Sequence, residues 1–186
     1  MRAVNLGFAL AALAIGSVSA QAPTEKPPMP ALNDAAIFAM LDKANGAEID
    51  LGELAAKSGQ SSEVRDLGKK FASDHAAARQ KAKDLATKIG VTPAMPEMDP
   101  MKKDDHAGKY EASLNKLKDL KGTEFDVAFV AREIEHHSRM IDAVENKFLP
   151  AAQNAELKAF LNELKPSLQS HLDQARALEK RLALGQ

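Results

Sequence analysis

Four stretches of this chain repeat apolar residues at alternating steps of three and four, and each breaks its pattern once, near its middle, with a side chain that burial penalises. The first reads Ile37, Leu41, Ala44, Glu48, Leu51, Ala55; the second Leu67, Phe71, His75, Ala78, Ala82, Leu85, Ile89. The third reads Val127, Val130, Ile134, His137, Ile141, Val144, Phe148, and the fourth Leu157, Leu161, Leu164, Leu168, His171, Ala175, Leu178, Leu182. That spacing puts one apolar stripe on each of four α-helices. Stripes on four helices are buried together by a bundle, so the expected fold is all-α, a ferritin-like four-helix bundle.

Punctuation along the chain sets the helix limits. Asn33-Asp34 caps the first helix, which ends near Ser58-Gly59, and Ser61 caps the second almost at once, so these two are antiparallel neighbours. The second stops at Ile89-Gly90, with Pro93 beyond. A long connection from Val91 to Gly122 follows, with a short extra helix expected over Ala107 to Leu120. It either crosses the length of the bundle or folds beside one end. Thr123 is expected to open the third helix, with Asp126 completing a capping box, and Leu149-Pro150 to end it. The fourth starts near Asn154 and contains Pro166, which should kink or divide it. The glycines Gly46 and Gly52 within the first helix suggest close helix approach around Glu48.

Residues 1–20 have the features of a secretory leader: Arg2, an apolar run from Leu6 to Ile15, and Val18-Ser19-Ala20 before Gln21. Residues 21–32, with four prolines, read as a tether, leaving residues 33–183 for the bundle domain. The expected location is therefore periplasmic or secreted, without an integral membrane segment once the leader is removed. There is no cysteine, so neither a disulfide nor a lipidated cysteine is available and packing must hold the fold. Formal charge is -1, or -2 without Arg2, with both signs interleaved, and nothing in that balance recruits nucleic acid. The lysines of the second helix (Lys69, Lys70, Lys81, Lys83, Lys88) form a solvated face. No protein partner is indicated.

The four polar interruptions carry the functional argument. His75 lies 14 residues after Ser61, His137 14 after Thr123, His171 17 after Asn154 and Glu48 14 after Asp34, so all stand near mid-height. Burying each alone costs several kcal/mol, about 2–7 for an unpaired polar group, and a shared site removes that cost. Three imidazoles and a carboxylate suit zinc, copper, iron or manganese, with Asp74 and Glu133 placed to support the ligands. Glu133 and His136 have the Glu-x-x-His spacing of di-iron helices, but the other helices lack its match. His136 itself, about 100° from the stripe, is expected on the flank of its helix. A weaker alternative is the Met-x-x-Met series Met95, Met98 and Met101, with His106 nearby, as soft ligands for Cu(I). The competing class is a structural or protein-interaction module whose His/Glu layer fixes helix register and binds no metal. Nucleophilic catalysis finds no partner pair, since Ser138 and His137 are adjacent on a helix and face apart. The reading is non-enzymatic.

A resemblance supports the fold. The run from Ala44 to Ala55, the apolar series from Val64 to Phe71, Asp74-His75, Gly122 with Phe125-Asp126, His137, Lys165-Pro166 and His171 resemble a bacterial domain-of-unknown-function family (four-one-four-two) over residues 33–178. That family is exported and ferritin-like and is often labelled an outer-membrane protein, although this chain has no barrel-like alternation of strands. The resemblance implies a ferritin-like bundle and, with the ligand pattern, a metal-binding or stress-related role. The family's methionine position on the third helix is Glu133 here.

Overall fold

Helix α1 (Asp34–Ser58) opens where the Asn33 side chain accepts the Ala36 N–H at 2.9 Å, and α2 (Ser62–Lys88) opens where Ser61 does the same for Val64 at 3.1 Å. Only Gly59, Gln60 and Ser61 separate the two, which forces an antiparallel hairpin. A Cβ on Gly52 would lie 2.6 Å from the Gly68 carbonyl oxygen, and one on Gly68 would lie 2.6 Å from that of Gly52, so this pair lets the two backbones touch. Gly46 has no such role, because a Cβ there meets only the Arg79 side chain at 3.5 Å.

This is a computed structural model that describes residues 32–95 and 114–185. The expected leader, the tether and most of the α2–α3 connection lie outside the described residues. Residues 114–119 are helical, as the extra helix requires, and Leu117 is buried.

Helix α3 (Gly122–Ala143) begins one residue before Thr123, with Lys121 at the cap position and no side-chain cap. Asp126 does not close a capping box. It is 2% exposed, and its two oxygens accept the backbone N–H groups of Gln60 and Ser61, each at 2.8 Å. At the opposite end Asp34 does the matching job, accepting from Gln153 N at 2.7 Å and Asn154 N at 3.0 Å. Each carboxylate thus satisfies the open backbone of the other hairpin's turn.

The chain does not break at Leu149-Pro150. A π-helical turn (Val144–Phe148) follows α3 and runs into the short Leu149–Ala151, with Leu149 N–H donating to the Val144 carbonyl. Pro150 has no N–H to continue an α-helical ladder, and widening the turn before it accommodates the gap. Asn154 then caps α4 (Ala155–Ala183), accepting from Glu156 and Leu157, and α4 runs undivided through Pro166.

The two anchors fix the direction of every helix. α1 starts beside the α3–α4 turn, and Ala94 N–H donates to Ala35 O, so α2 ends at that same end. α3 starts beside the α1–α2 turn. Helices α2 and α3 are therefore parallel, and the connection between them spans the length of the bundle. No strand occurs among the described residues, and none of the described helices is long and apolar enough to cross a membrane.

The core divides in two. One cluster, around Ile37, Phe38, Leu41, Phe148, Leu157 and Leu161, fills the end where α1 starts. The other, around Leu51, Val64, Phe71, Phe125, Phe129 and Leu178, fills the end where α1 stops. The polar groups lie between them. On α3 the stripe is rotated from its expected register, because Val127 is 51% exposed while Phe125, Phe129, Glu133 and His137 are buried. Their steps of four carry Glu133 into the core.

Candidate metal centre

His75 of α2, His137 of α3 and His171 of α4 meet at mid-height, with one nitrogen from each ring within 4.8 Å of the other two. All are buried, His137 completely. Phe71 forms the floor, its ring stacked on His171 at 4.3 Å and tilted against His137 at 5.2 Å.

The outer nitrogen of each ring has a partner that fixes its tautomer. His137 Nδ1 lies 2.9 Å from the Glu133 backbone oxygen, which can only accept, so Nδ1 carries the proton. His171 Nε2 lies 2.8 Å from Asp74 Oδ2. Burial raises the Asp74 carboxyl, but hydrogen bonds from Lys70 and His171 outweigh that and hold it below its usual value, so it too accepts. Asn45 donates through Nδ2 to the Leu41 carbonyl at 2.8 Å, which turns its Oδ1 toward His75 Nδ1 at 2.9 Å. All three histidines therefore keep an unprotonated nitrogen: Nε2 of His75 and His137, Nδ1 of His171.

Two of these bare nitrogens face each other, His137 Nε2 and His171 Nδ1 at 3.2 Å, and the third, His75 Nε2, is buried without a partner. Burial also keeps the rings neutral. It pushes His75 down to about 4 and His137 down to about 3, and lowers His171 against the pull of Asp74. Neutral imidazoles with one nitrogen of each ring within 4.8 Å of the others are the state a cation needs.

Glu48 is not part of this group. It meets Glu133 and His137 in a second one, whose oxygens and nitrogen lie within 4.8 Å of one another. Both carboxylates are 1% exposed. Arg132 stands 3.1 Å from Glu48 Oε1 and 3.6 Å from Glu133 Oε1, and Glu133 Oε2 is 3.4 Å from His137 Nδ1. Burial raises Glu133 far above the usual carboxylate range and the Glu48 charge adds to it. Burial would raise Glu48 as well, but His136, the neighbouring Glu133 carboxyl and Arg132 together hold it well below that range. The two carboxyls are thus pushed apart, Glu48 toward its charged form and Glu133 toward its protonated one.

The expected ligand His75, His137 and His171 thus form one group, while Glu48 and Glu133 stand behind His137, and Asp74 orients His171. Asn45 and His136 join this polar layer as well. His136 is half-buried on its flank, 17% exposed, with Nε2 3.5 Å from Glu48 Oε1. Asn45 follows Leu41 by four residues on the same stripe, a signal visible in the sequence. Met95 is 50% exposed and lies with Phe38, Asp42, Lys83 and Pro93 in a groove of α1 and α2; Met98, Met101 and His106 lie outside the described residues.

The arrangement defines a class: a four-helix bundle whose apolar core is cut at mid-height by a histidine and carboxylate layer. The chain belongs to the family described as Domain of unknown function (DUF4142), whose model matches residues 19–178. No curated protein matches the sequence. Among solved structures, a DUF305 fragment from Deinococcus radiodurans is similar with a TM-score of 0.67 at 17% identity, covering 82% of this chain and 99% of that one. CopM in its Cu(I)-bound form gives 0.61 at 16% identity (81% and 97% covered), and in its Cu(II)-bound form 0.63 at 15% (81% and 98%). At such identities these likenesses establish the fold.

Proposed function

We propose that this protein is an exported transition-metal-binding protein that holds its ion on His75, His137 and His171. The observation that carries the reading is the 3.2 Å approach of two unprotonated nitrogens beside a third that has no partner. Buried acceptors facing each other without a proton are costly, and a cation supplies what they lack. Asp74, Asn45 and the Glu133 carbonyl hold the rings in the required tautomers. Glu48 contributes compensating negative charge behind His137.

Imidazole ligands suit copper, zinc, iron and manganese to differing degrees. Copper is the first to test, because proteins of this fold include CopM in copper-bound forms. The leader-like residues 1–20 support the exported location.

Elemental analysis of untagged protein recovered from the periplasm without chelator tests this, beside a variant lacking His75, His137 and His171 together. Stoichiometric metal in the wild type and none in the variant is the expected result. Absence of metal from both, with titration of Cu(I), Cu(II) and Zn(II) leaving the melting temperature unchanged, would overturn it and leave a register-fixing polar layer.

A further inference from the structure

The donors of the three-histidine group bring no charge with them, since the group holds three imidazoles and no carboxylate. The charged carboxylates nearby are engaged elsewhere. Glu48 is met by Arg132 Nη1 at 3.1 Å and by His136 Nε2 at 3.5 Å. Asp74 reaches from the surface, where Lys70 pairs with it, to the outer nitrogen of His171. Water does not make good the deficit. His137 is 0% exposed and the bare His75 Nε2 is buried, while the Phe71 ring covers His137 and His171. A cavity of about 40 Å³ lies beside His75 and His171, but His137 does not line it, and its wall holds Asn45 and Asp74, the partners of the nitrogens that face away from the centre.

From this balance of charge and burial we propose that the site selects a soft monovalent cation, Cu(I) or Ag(I), over divalent ions. This rests on the metal reading above. Imidazole alone does not make the choice, because it also suits zinc and Cu(II); the lack of negative charge at the ion does. The cost of taking an ion out of water grows with the square of its charge, so a dication carries about four times the penalty of a monocation of the same size. Zinc sites offset that cost with thiolate or carboxylate ligands or keep a bound water, and magnesium and calcium take oxygen ligands. The three-histidine group offers neither an anionic ligand nor a nitrogen face open to solvent. What the Glu48 charge lends across the His137 ring is shared with Arg132 and suits one positive charge better than two.

Competition dialysis of the full protein against chelators of known affinity, read by elemental analysis, compares Cu(I) under anaerobic reductant, Ag(I), Cu(II) and Zn(II). The ions counted are those absent from the variant lacking His75, His137 and His171, because Met95, Met98 and Met101 are also soft donors. One Cu(I) or Ag(I) per chain is expected, held about a hundredfold or more tighter than Cu(II) and Zn(II). Asn45→Asp keeps an acceptor on the outer nitrogen of His75 but makes it a carboxylate, and should strengthen Zn(II) binding about tenfold or more with a smaller gain for Ag(I). Arg132→Gln, which removes a positive charge facing Glu48, gives the same comparison should the first variant fail to fold. Divalent ions held by the wild type as tightly as Ag(I), or a Zn(II) gain no larger than the Ag(I) gain in a folded variant, would overturn the monovalent selection while leaving the metal reading intact. Histidine-dependent uptake of none of the four ions would instead overturn both.

Discussion

His137 and His171 present unprotonated nitrogens to each other at 3.2 Å, each because its other nitrogen is already donating, to the Glu133 carbonyl and to Asp74. On the proposed reading, these outer partners orient the ligands for an ion they would never touch.

Replacing Asp74 should therefore weaken metal binding without unfolding the bundle. Asp74→Ala leaves His171 free to take the other tautomer, and a loss of about 10–100-fold in affinity is expected. Competitive titration against a chelator of known affinity measures it. Asp74 lies at the surface, paired with Lys70, so the melting temperature of the metal-free protein should change little.

The two buried glutamates should respond differently. Burial and the Glu48 charge favour the protonated form of Glu133, so Glu133→Gln, which mimics that form, should cost under about 1 kcal/mol near neutral pH. Glu48→Gln removes the buried charge that Arg132 Nη1 and His136 Nε2 face at 3.1 and 3.5 Å and should cost about 3 kcal/mol. Urea unfolding of the metal-free variants separates them, and equal effects would contradict the charge assignment.

Acid should destabilise the metal-free protein above the range of ordinary carboxylate titration. His75 and His137 titrate near 4 and 3 when folded but near 6.5 when unfolded, so below about pH 6.5 the unfolded chain binds protons that the native state refuses. Stability from these groups is complete above that value and is lost as pH falls toward 4 and 3. At pH 5 the loss for His75 is on the order of 2 kcal/mol. Glu133 acts in the opposite sense, its contribution falling as pH rises above 4.5. Unfolding free energies at pH 7 and pH 5 should differ less in His75→Leu than in the wild type.

Gly52 and Gly46 sit six residues apart on one helix and should behave oppositely. Gly52→Ala drives a methyl into the α2 backbone and should destabilise by about 1–3 kcal/mol. Gly46→Ala meets only a flexible arginine and should gain up to about 1 kcal/mol from helix propensity. Chemical denaturation of both variants checks the contrast.

Removing the Asp126 carboxylate should loosen one end of the bundle. Asp126→Ala strands the N–H groups of Gln60 and Ser61 and should cost about 1–3 kcal/mol. Hydrogen exchange at those two amides should accelerate with it.

Much of the fold was legible because helical periodicity and capping are local. The stripes of α1, α2 and α4, the caps Asn33, Ser61 and Asn154, and the stop at Gly90 all follow from residues within a turn or two of each other. The start of α3 was not, because Asp126 has the identity of a capping-box residue but bonds a turn 65 residues away. The α3 stripe was misread at Val127 because valine outranks glutamate on any hydrophobic count, while the steps of four from Phe125 through Phe129 and Glu133 to His137 name the buried face. His136 keeps the half-buried flank position its place on the helix predicts, and from there its Nε2 comes within 3.5 Å of Glu48 on α1.

The sequence by itself determined that four helices would each bring one ionisable group to the same height, because rise per residue and periodicity are properties of a single helix. The tertiary structure alone decided how those groups are shared: the imidazoles of His75 and His171 on one side of His137, two carboxylates on the other, and a small cavity beside His75 and His171. That division depends on helix direction and rotation, which are set by contacts between residues far apart in the chain, where Asp34 and Asp126 each clasp the other hairpin's turn and Gly52 and Gly68 let two backbones meet. No local pattern encodes those distances, so the chemistry of the centre emerges only when the hairpins pack.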